Sequence, residues 1–198
     1  GSEMCIRDRD RAKQLYSSFC NGEMLLTNAT TAEMAKLTEN SFRDVNIAFA
    51  NELSIISDKL GIDVWELIEL ANHHPRVNIL NPGPGVGGHC IAVDPWFIVS
   101  SAQEEAKLIR TAREVNDGKP AYVIAKITEA VEAEGADSIA ALGIAFKPDI
   151  DDLRESPALS IVQQMAEKWP EKNILVAEPN VNEPVSYTHL RAHETGRH

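Results

Sequence analysis

At Gly135 the hydrophobic pattern of the chain changes character. Before it, apolar residues recur at helical spacing. After it, "SIAALGIAF" and "NILVAEP" are short, almost continuous apolar runs, flanking "SPALSIVQQMAEKW", which has a helical period again. Runs of that length read as buried strands. Strand, loop, helix, strand is a βαβ unit, and a crossover helix returns the chain so that the two strands lie parallel. The segment is thus the opening of a parallel α/β domain, and two strands are too few for an independent sheet of this kind.

Everything earlier predicts helices. Arg11 to Phe19 is a short one, broken at Asn21-Gly22, and "EMLLTN" is a brief apolar run with the look of a strand. A long helix follows from Thr31, its N-cap, to Gly61 just past its end. Its apolar residues (Met34, Leu37, Phe42, Val45, Phe49, Leu53, Ile56, Leu60) cover more than one face, which predicts burial between neighbours or at a subunit interface. "DVWELIELANHHP" is a further helix, capped by Asp63 and ended by Pro75. After a glycine-rich loop come "DPWFIVSSA", the amphipathic "AQEEAKLIRTAREVNDG" and, beyond Gly118, a separate helix "KPAYVIAKITEAVEAEG".

Composition narrows the setting. The 198 residues are 43% hydrophobic and 25% charged, ordinary for a globular protein, and carry a net charge of −11. That charge argues against nucleic acid or an anionic membrane as partner. No apolar run reaches the roughly 18 residues of a spanning helix. The odd cysteine count (Cys5, Cys20, Cys90) without metal-site spacing fits a reducing cytoplasm. The two ends, "GSEMCIRDR" and "VSYTHLRAHETGRH", do not match their neighbours and resemble translated sequencing-adapter read-through behind a cloning scar. They are expected to be non-native, which sets aside Cys5, His189, His193 and His198 and implies that the natural gene extends past both ends.

Three places could carry chemistry. In "NPGPGVGGHCIAVDP" four glycines and three prolines surround Cys90 and Asp94. Glycine permits close approach of backbone to a ligand, and a helix starting behind a thiol favours the thiolate, the nucleophilic form. Asp94 could then accept a proton or orient water. Against this, Asp94-Pro95 is an ordinary N-cap followed by a first helical residue, and a single cysteine is often filler. Lys36, Asn40 and Arg43 project from one helical face and could hold an anion; on spacing alone they also fit a solvated stripe paired with Glu33, Glu39 and Asp44, the commoner arrangement. "FKPDIDDLRES" follows a predicted strand, where α/β folds bind ligands, and its Lys147 and Arg154 could take phosphate. His73, His74, His89 and Cys90 lack the spacing of a zinc site, so no metal is expected, and "GPGVGG" is not a dinucleotide fingerprint.

Together and in this order, "AEMAKLTENSFRDVNIAFANE", "PGPGVGGHCIAVDP" and "GIAFKPDIDDLRESPA" resemble the UDP-glucose/GDP-mannose dehydrogenase family, from about Ala12 to about Pro184. These enzymes oxidise the C6 alcohol of a nucleotide sugar to a carboxylate with NAD. "HPRVNIL" is most similar to members acting on UDP-N-acetyl-D-mannosamine, whose product enters enterobacterial common antigen and some capsules. The resemblance implies an α/β protein overall: a leader (1–10), a linker from an N-terminal NAD domain (11–30), a helical dimerisation domain (31–118), then a connecting helix and truncated Rossmann-like UDP-binding domain (119–184), and a tail (185–198). It implies Cys90 as nucleophile, Lys36 and Asn40 stabilising the oxyanion with Lys36 also exchanging protons, and Asp94 handling water. Arg43, His74, Arg76, Gly87, Phe146 and Lys147 match sugar-nucleotide contacts, and Arg154 a cofactor contact. A subunit partner completes this part of the site in relatives, so His74 and Arg76 would serve the neighbouring one. The implied partners are a UDP-sugar and a second copy in a cytoplasmic homodimer. Without an NAD domain the chain alone is expected to be inactive. UDP-N-acetylglucosamine or UDP-glucose as substrate, or a purely structural dimerisation module, are the other readings.

Overall fold

The computed structural model describes residues 2–181 and 190–192. The chain divides into two compact units, Gly1–Lys36 and Leu37–His198.

The first unit opens with helix α1 (Ser2–Tyr16), closed by a turn in which the Cys20 N–H reaches the Tyr16 carbonyl at 2.8 Å. The helix thus starts well before the expected Arg11 and runs through most of the expected leader. "EMLLTN" is not a strand: the segment is irregular and mostly exposed, with no partner strand among the described residues to satisfy its backbone. Helix α2 (Ala29–Leu60) begins three residues earlier than expected. Asn28, not Thr31, caps it, its Oδ1 accepting the Thr31 N–H at 2.8 Å.

In the second unit, the inward face of α2 contradicts its apolar pattern. Ser41, Asp44, Ala48, Ala50, Asn51 and Ser57 are buried, while Phe42, Phe49, Ile56 and Leu60 are exposed. What turns the helix this way is a polar seam with α5 (Lys107–Glu134). Arg113 donates to Asp44 Oδ1 at 2.6 Å, and Asn116 donates to the same oxygen at 2.8 Å. Burial pushes the Asp44 carboxyl up from its ordinary range, against the pull of the Arg113 guanidinium. Lys119 donates to Ser54.

The same seam explains why α5 is one helix where two were expected. Gly118 and Pro120 should break it, since glycine is a poor helix former and Pro120 cannot donate to the carbonyl four residues back. Yet Arg113, Asn116 and Lys119, all buried against α2 partners, require helical geometry across the break. The helix ends at Gly135, whose φ of 61° is the left-handed C-cap conformation. Helix α3 (Val64–Asn72) has the expected cap, with Asp63 accepting the Trp65 N–H at 2.8 Å. Helix α4 (Asp94–Ser101) packs Ile98 and Val99 against Ala106, Leu37 and Ile109.

The predicted βαβ unit is present. Strands β1 (Ser138–Leu142) and β2 (Asn173–Ala177) pair in parallel, Ile139 opposite Ile174. Between them runs α6 (Pro157–Lys168), and Ser156 caps it as expected by accepting the Leu159 N–H. Val131, Ile144, Ile161, Val162, Met165, Trp169, Ile174 and Val176 form the core between the sheet, α5 and α6. A third strand, β3 (Leu190–Ala192), extends the sheet in parallel beside β2. It falls within the segment expected to be a non-native tail. The rest of that tail, with His189, His193 and His198, lies outside the described residues.

Candidate active site

The glycine loop lies between α3 and α4. At its C-terminal end the Cys90 carbonyl accepts the N–H groups of Val93 (3.1 Å) and Asp94 (2.8 Å), a tight turn that puts Cys90 one turn ahead of α4 with its side chain exposed. Asp94 is the first residue of α4 and not its N-cap. Val93 holds the cap position without a side-chain bond, which corrects the structural reading of Asp94-Pro95. The Asp94 carboxylate is turned instead to α2, where its Oδ2 accepts from Asn40 Nδ2 at 2.6 Å. Its other oxygen accepts no bond from the described residues. One of the two expected oxyanion donors and the expected water-handling carboxylate are thus brought together beside the cysteine's turn. Arg43 follows Asn40 by one helical turn and is exposed, and Lys36 precedes it by one turn and is also exposed.

The glycines have a more specific role than leaving room for a ligand. A Cβ on Gly87 would collide with the Glu155 carbonyl oxygen and lie 2.7 Å from Pro157 Cδ and 3.0 Å from Phe146 Cβ. One on Gly88 would meet the Phe146 ring at 3.0 Å. The loop therefore packs without side chains directly onto the segment joining β1 to α6. That brings together Gly87 and Phe146, two of the expected sugar-nucleotide contacts. Lys147 stands over the Phe146 ring, 5.6 Å from its centroid.

The β1–α6 segment is itself held tightly. Glu178, just past β2, accepts the N–H groups of Ile144 (2.9 Å) and Ala145 (3.1 Å), a contact that no motif announced. Burial alone would push Glu178 up, but these bonds and one from Asn180 outweigh it and hold its carboxyl below the usual value. Asp149 and Glu155 adopt left-handed φ angles of 62° and 51°, a costly conformation for side-chain-bearing residues and one that clusters at functional loops. Arg154 closes its fork on Asp152 at 2.8 and 2.6 Å, and hydrogen bonds from Arg154 hold the Asp152 carboxyl well below the carboxylate range.

Other expected residues are not gathered here. His74 and Arg76 are exposed beyond α3, and their one mutual bond is from the Arg76 N–H to His74 Nδ1 at 3.3 Å. A cavity of about 410 Å³ lies among Val86, Asn116, Pro120, Ser156 and Gln163, and neither Cys90 nor Asp94 lines it. Among the described residues no group of three or more His, Cys, Asp or Glu side chains could hold a metal, and no helix is long and apolar enough to cross a membrane. Asp44, Asn51 and Asn116 were missed as more than surface polar residues. Their spacing on α2 and α5 was visible, but only the structure shows the polar face turned inward.

The central-domain signature of the UDP-glucose/GDP-mannose dehydrogenase family matches residues 30–118, and the UDP-binding-domain signature of the same family matches residues 140–195. The chain belongs to this family. It is 65% identical over 172 residues to a UDP-N-acetyl-D-mannosamine dehydrogenase of Campylobacter jejuni, covering 87% of this chain and 42% of that protein. It is 60% identical over 172 residues to an NDP-N-acetyl-D-galactosaminuronic acid dehydrogenase of Ralstonia nicotianae, covering 87% and 40%. Among solved structures it resembles a derivative structure of the UDP-N-acetyl-mannosamine dehydrogenase Cap5O from S. aureus, with a TM-score of 0.79, 46% identity and coverage of 92% of this chain and 42% of that one. The chain thus spans about two fifths of the relatives it matches. Those relatives are sugar-nucleotide oxidoreductases, and the mixed fold with a small parallel sheet is theirs too.

Proposed function

We propose that these residues form the substrate-side half of an NAD-dependent UDP-N-acetyl-D-mannosamine 6-dehydrogenase, acting in the cytoplasm. The observation that carries the reading is the Asn40–Asp94 pair set one turn behind the exposed Cys90. In this reaction the C6 alcohol of the sugar is oxidised twice, and NAD is the oxidant. The described residues do not by themselves make a dinucleotide site. No glycine fingerprint follows β1, and the fork of Arg154, the one residue matched to the cofactor, is taken by Asp152. Residues 1–198 alone are therefore expected to turn over no substrate.

What this chain's residues would do is covalent and electrostatic. Cys90 Sγ adds to the C6 aldehyde, and the carbonyl oxygen, now negative, is stabilised by the Asn40 amide. Lys36, one turn earlier on α2, joins Asn40 in this role by resemblance. At the acyl level the carbon is held as a thioester. Water attacks it, Asp94 takes the water's proton, and the cysteine leaves as thiolate. Phe146, with Gly87 packed against it, Lys147 and Arg43 would grip the nucleotide end, while His74 and Arg76 serve a neighbouring subunit.

That neighbour has a face to bind. Phe42, Phe49 and Ile56 recur every seven residues on α2 and are exposed, as an interface between two copies requires. Sedimentation at micromolar concentration is expected to show a dimer, and Phe49→Glu a shift to monomer. A strict monomer before substitution contradicts the dimer and also the reading of the chain as a structural dimerisation module. The Ralstonia relative favours a second reading in which the sugar is another N-acetylhexosamine. Calorimetric titration with UDP-N-acetylmannosamine, UDP-N-acetylglucosamine, UDP-glucose and UDP tests the substrate assignment. Tightest binding of the first supports it, and equal affinity for all four contradicts it.

A further inference from the structure

Gly83 lies in a stretch with no helix or strand, yet its backbone N–H has a buried partner, Asn51 Oδ1 on α2, at 2.8 Å. Asn51 Nδ2 in turn donates to Asn116 Oδ1 at 2.9 Å. Asn116 Nδ2 donates to the Asp44 backbone carbonyl at 3.1 Å and to Asp44 Oδ1 at 2.8 Å. Asn51, Asn116 and Asp44 are 0%, 1% and 0% exposed. The run starts at a backbone donor and ends at a backbone acceptor, and neither can be reversed. Its direction is therefore set at both ends. Each side chain must accept on the loop side and donate on the Asp44 side, which a carboxamide can do and a carboxylate cannot. An apolar residue at either place would strand a buried polar group.

The second tether of the loop is the Asn40–Asp94 bond. Gly83 is thus held opposite Asn51 and Asp94 opposite Asn40, so eleven residues of loop run back over eleven residues of helix. The two helical positions are about 16 Å apart along the axis. Eleven extended residues would reach about 36 Å. The loop must bow outward between its tethers, and the bow carries Gly87 and Gly88 onto Phe146 and Cys90 to the surface.

We infer that Asn51 and Asn116 are positioning residues acting in series, Asn116 through Asn51, to hold the Gly83 end of the bowed loop and so set where Cys90 is presented. The inference rests on the reading of Cys90 as the nucleophile for its purpose, but not for its geometry.

Amide exchange and thiol labelling on the whole chain test it. In the unsubstituted protein the Gly83 amide is expected to exchange at least about tenfold more slowly than that of Gly85, which has no acceptor among the described residues. Asn116 makes no hydrogen bond to the loop among the described residues, yet Asn116→Leu is expected to speed Gly83 exchange at least about fivefold. It should also change the ratio of Cys90 to Cys20 labelling by iodoacetamide by about threefold. Asn51→Leu alone and the double variant are expected to match each other, as a series arrangement requires. Gly83 exchanging as fast as Gly85 in the unsubstituted chain overturns the proposal. So does an Asn116→Leu protein, with its helical circular dichroism intact, in which neither readout moves, or a double variant whose effects simply add. If a variant loses its helical signal, the Gly83–Gly85 comparison decides alone. Failure of a UDP-sugar to protect Cys90, with Gly83 slow, would sink the functional reading and leave the positioning role standing.

Discussion

Asn40 and Asp94, 54 positions apart in sequence, share a hydrogen bond of 2.6 Å between an amide on α2 and a carboxylate at the first residue of α4. The bond fastens the turn carrying Cys90 to the long helix, and it explains why Asp94 gives up the capping role its sequence suggests. A bond to a charged acceptor contributes about 1.5–3 kcal/mol. The pair is only half-buried, which places it at the lower end. Asn40→Ala is expected to lose about 1–2 kcal/mol in urea unfolding, and Asn40→Ala with Asp94→Ala less than the sum of the two singles. Additive losses would show that the two side chains do not interact in solution.

Gly87→Ala tests the packing of the loop on the β1–α6 segment. The added methyl has nowhere to go, because the Glu155 carbonyl and the Pro157 ring are parts of a constrained turn rather than mobile side-chain ends. Overpacking of this kind costs about 1–3 kcal/mol. Gly118→Ala, where a Cβ meets nothing within 4 Å, is the matched control and is expected to stabilise the chain, because alanine is the better helix former inside α5. Equal effects of the two substitutions would contradict the close approach.

These two contacts show what could be read from the residues. The Asp63 and Ser156 caps and the Gly135 stop follow from local chemistry, each settled within a few residues of chain, and the βαβ unit from the change of apolar period beyond Gly135. The inward face of α2 is not local. Phe42, Phe49 and Ile56 outweigh Asp44 and Asn51 in any hydrophobic count, and only Arg113 and Asn116, about 70 positions away, make the polar face the buried one. The continuity of α5 was illegible for the same reason, since Gly118 and Pro120 are local breakers overruled by partners on α2. In the site, the motif order pointed to Cys90, Asn40, Asp94, Gly87 and Phe146, whereas the Glu178 clamp on the Ile144 and Ala145 amides has no signature beyond an acidic residue after a strand.

Glu178 also gives the chain a pH signature. Its folded-state carboxyl lies below its ordinary value of 4.5, so the unfolded chain binds the proton more readily. The stability it contributes is complete above that value and is lost as pH falls from 4.5 through the folded-state value. Glu178→Gln is expected to be less stable than the parent at pH 7 and to show a flatter decline in melting temperature on acidification. An unchanged acid slope would contradict the clamp.

The proposed function places Cys90 at a sugar-nucleotide site built from α2, the glycine loop and the β1–α6 segment. Its most direct test is the rate of Cys90 alkylation by iodoacetamide, followed by peptide mass spectrometry, with and without UDP-N-acetylmannosamine, using exposed Cys20 as the internal control. The nucleotide sugar is expected to slow labelling of Cys90 in a saturable way and to leave Cys20 unchanged. Identical Cys90 rates at every concentration of the ligand would contradict it.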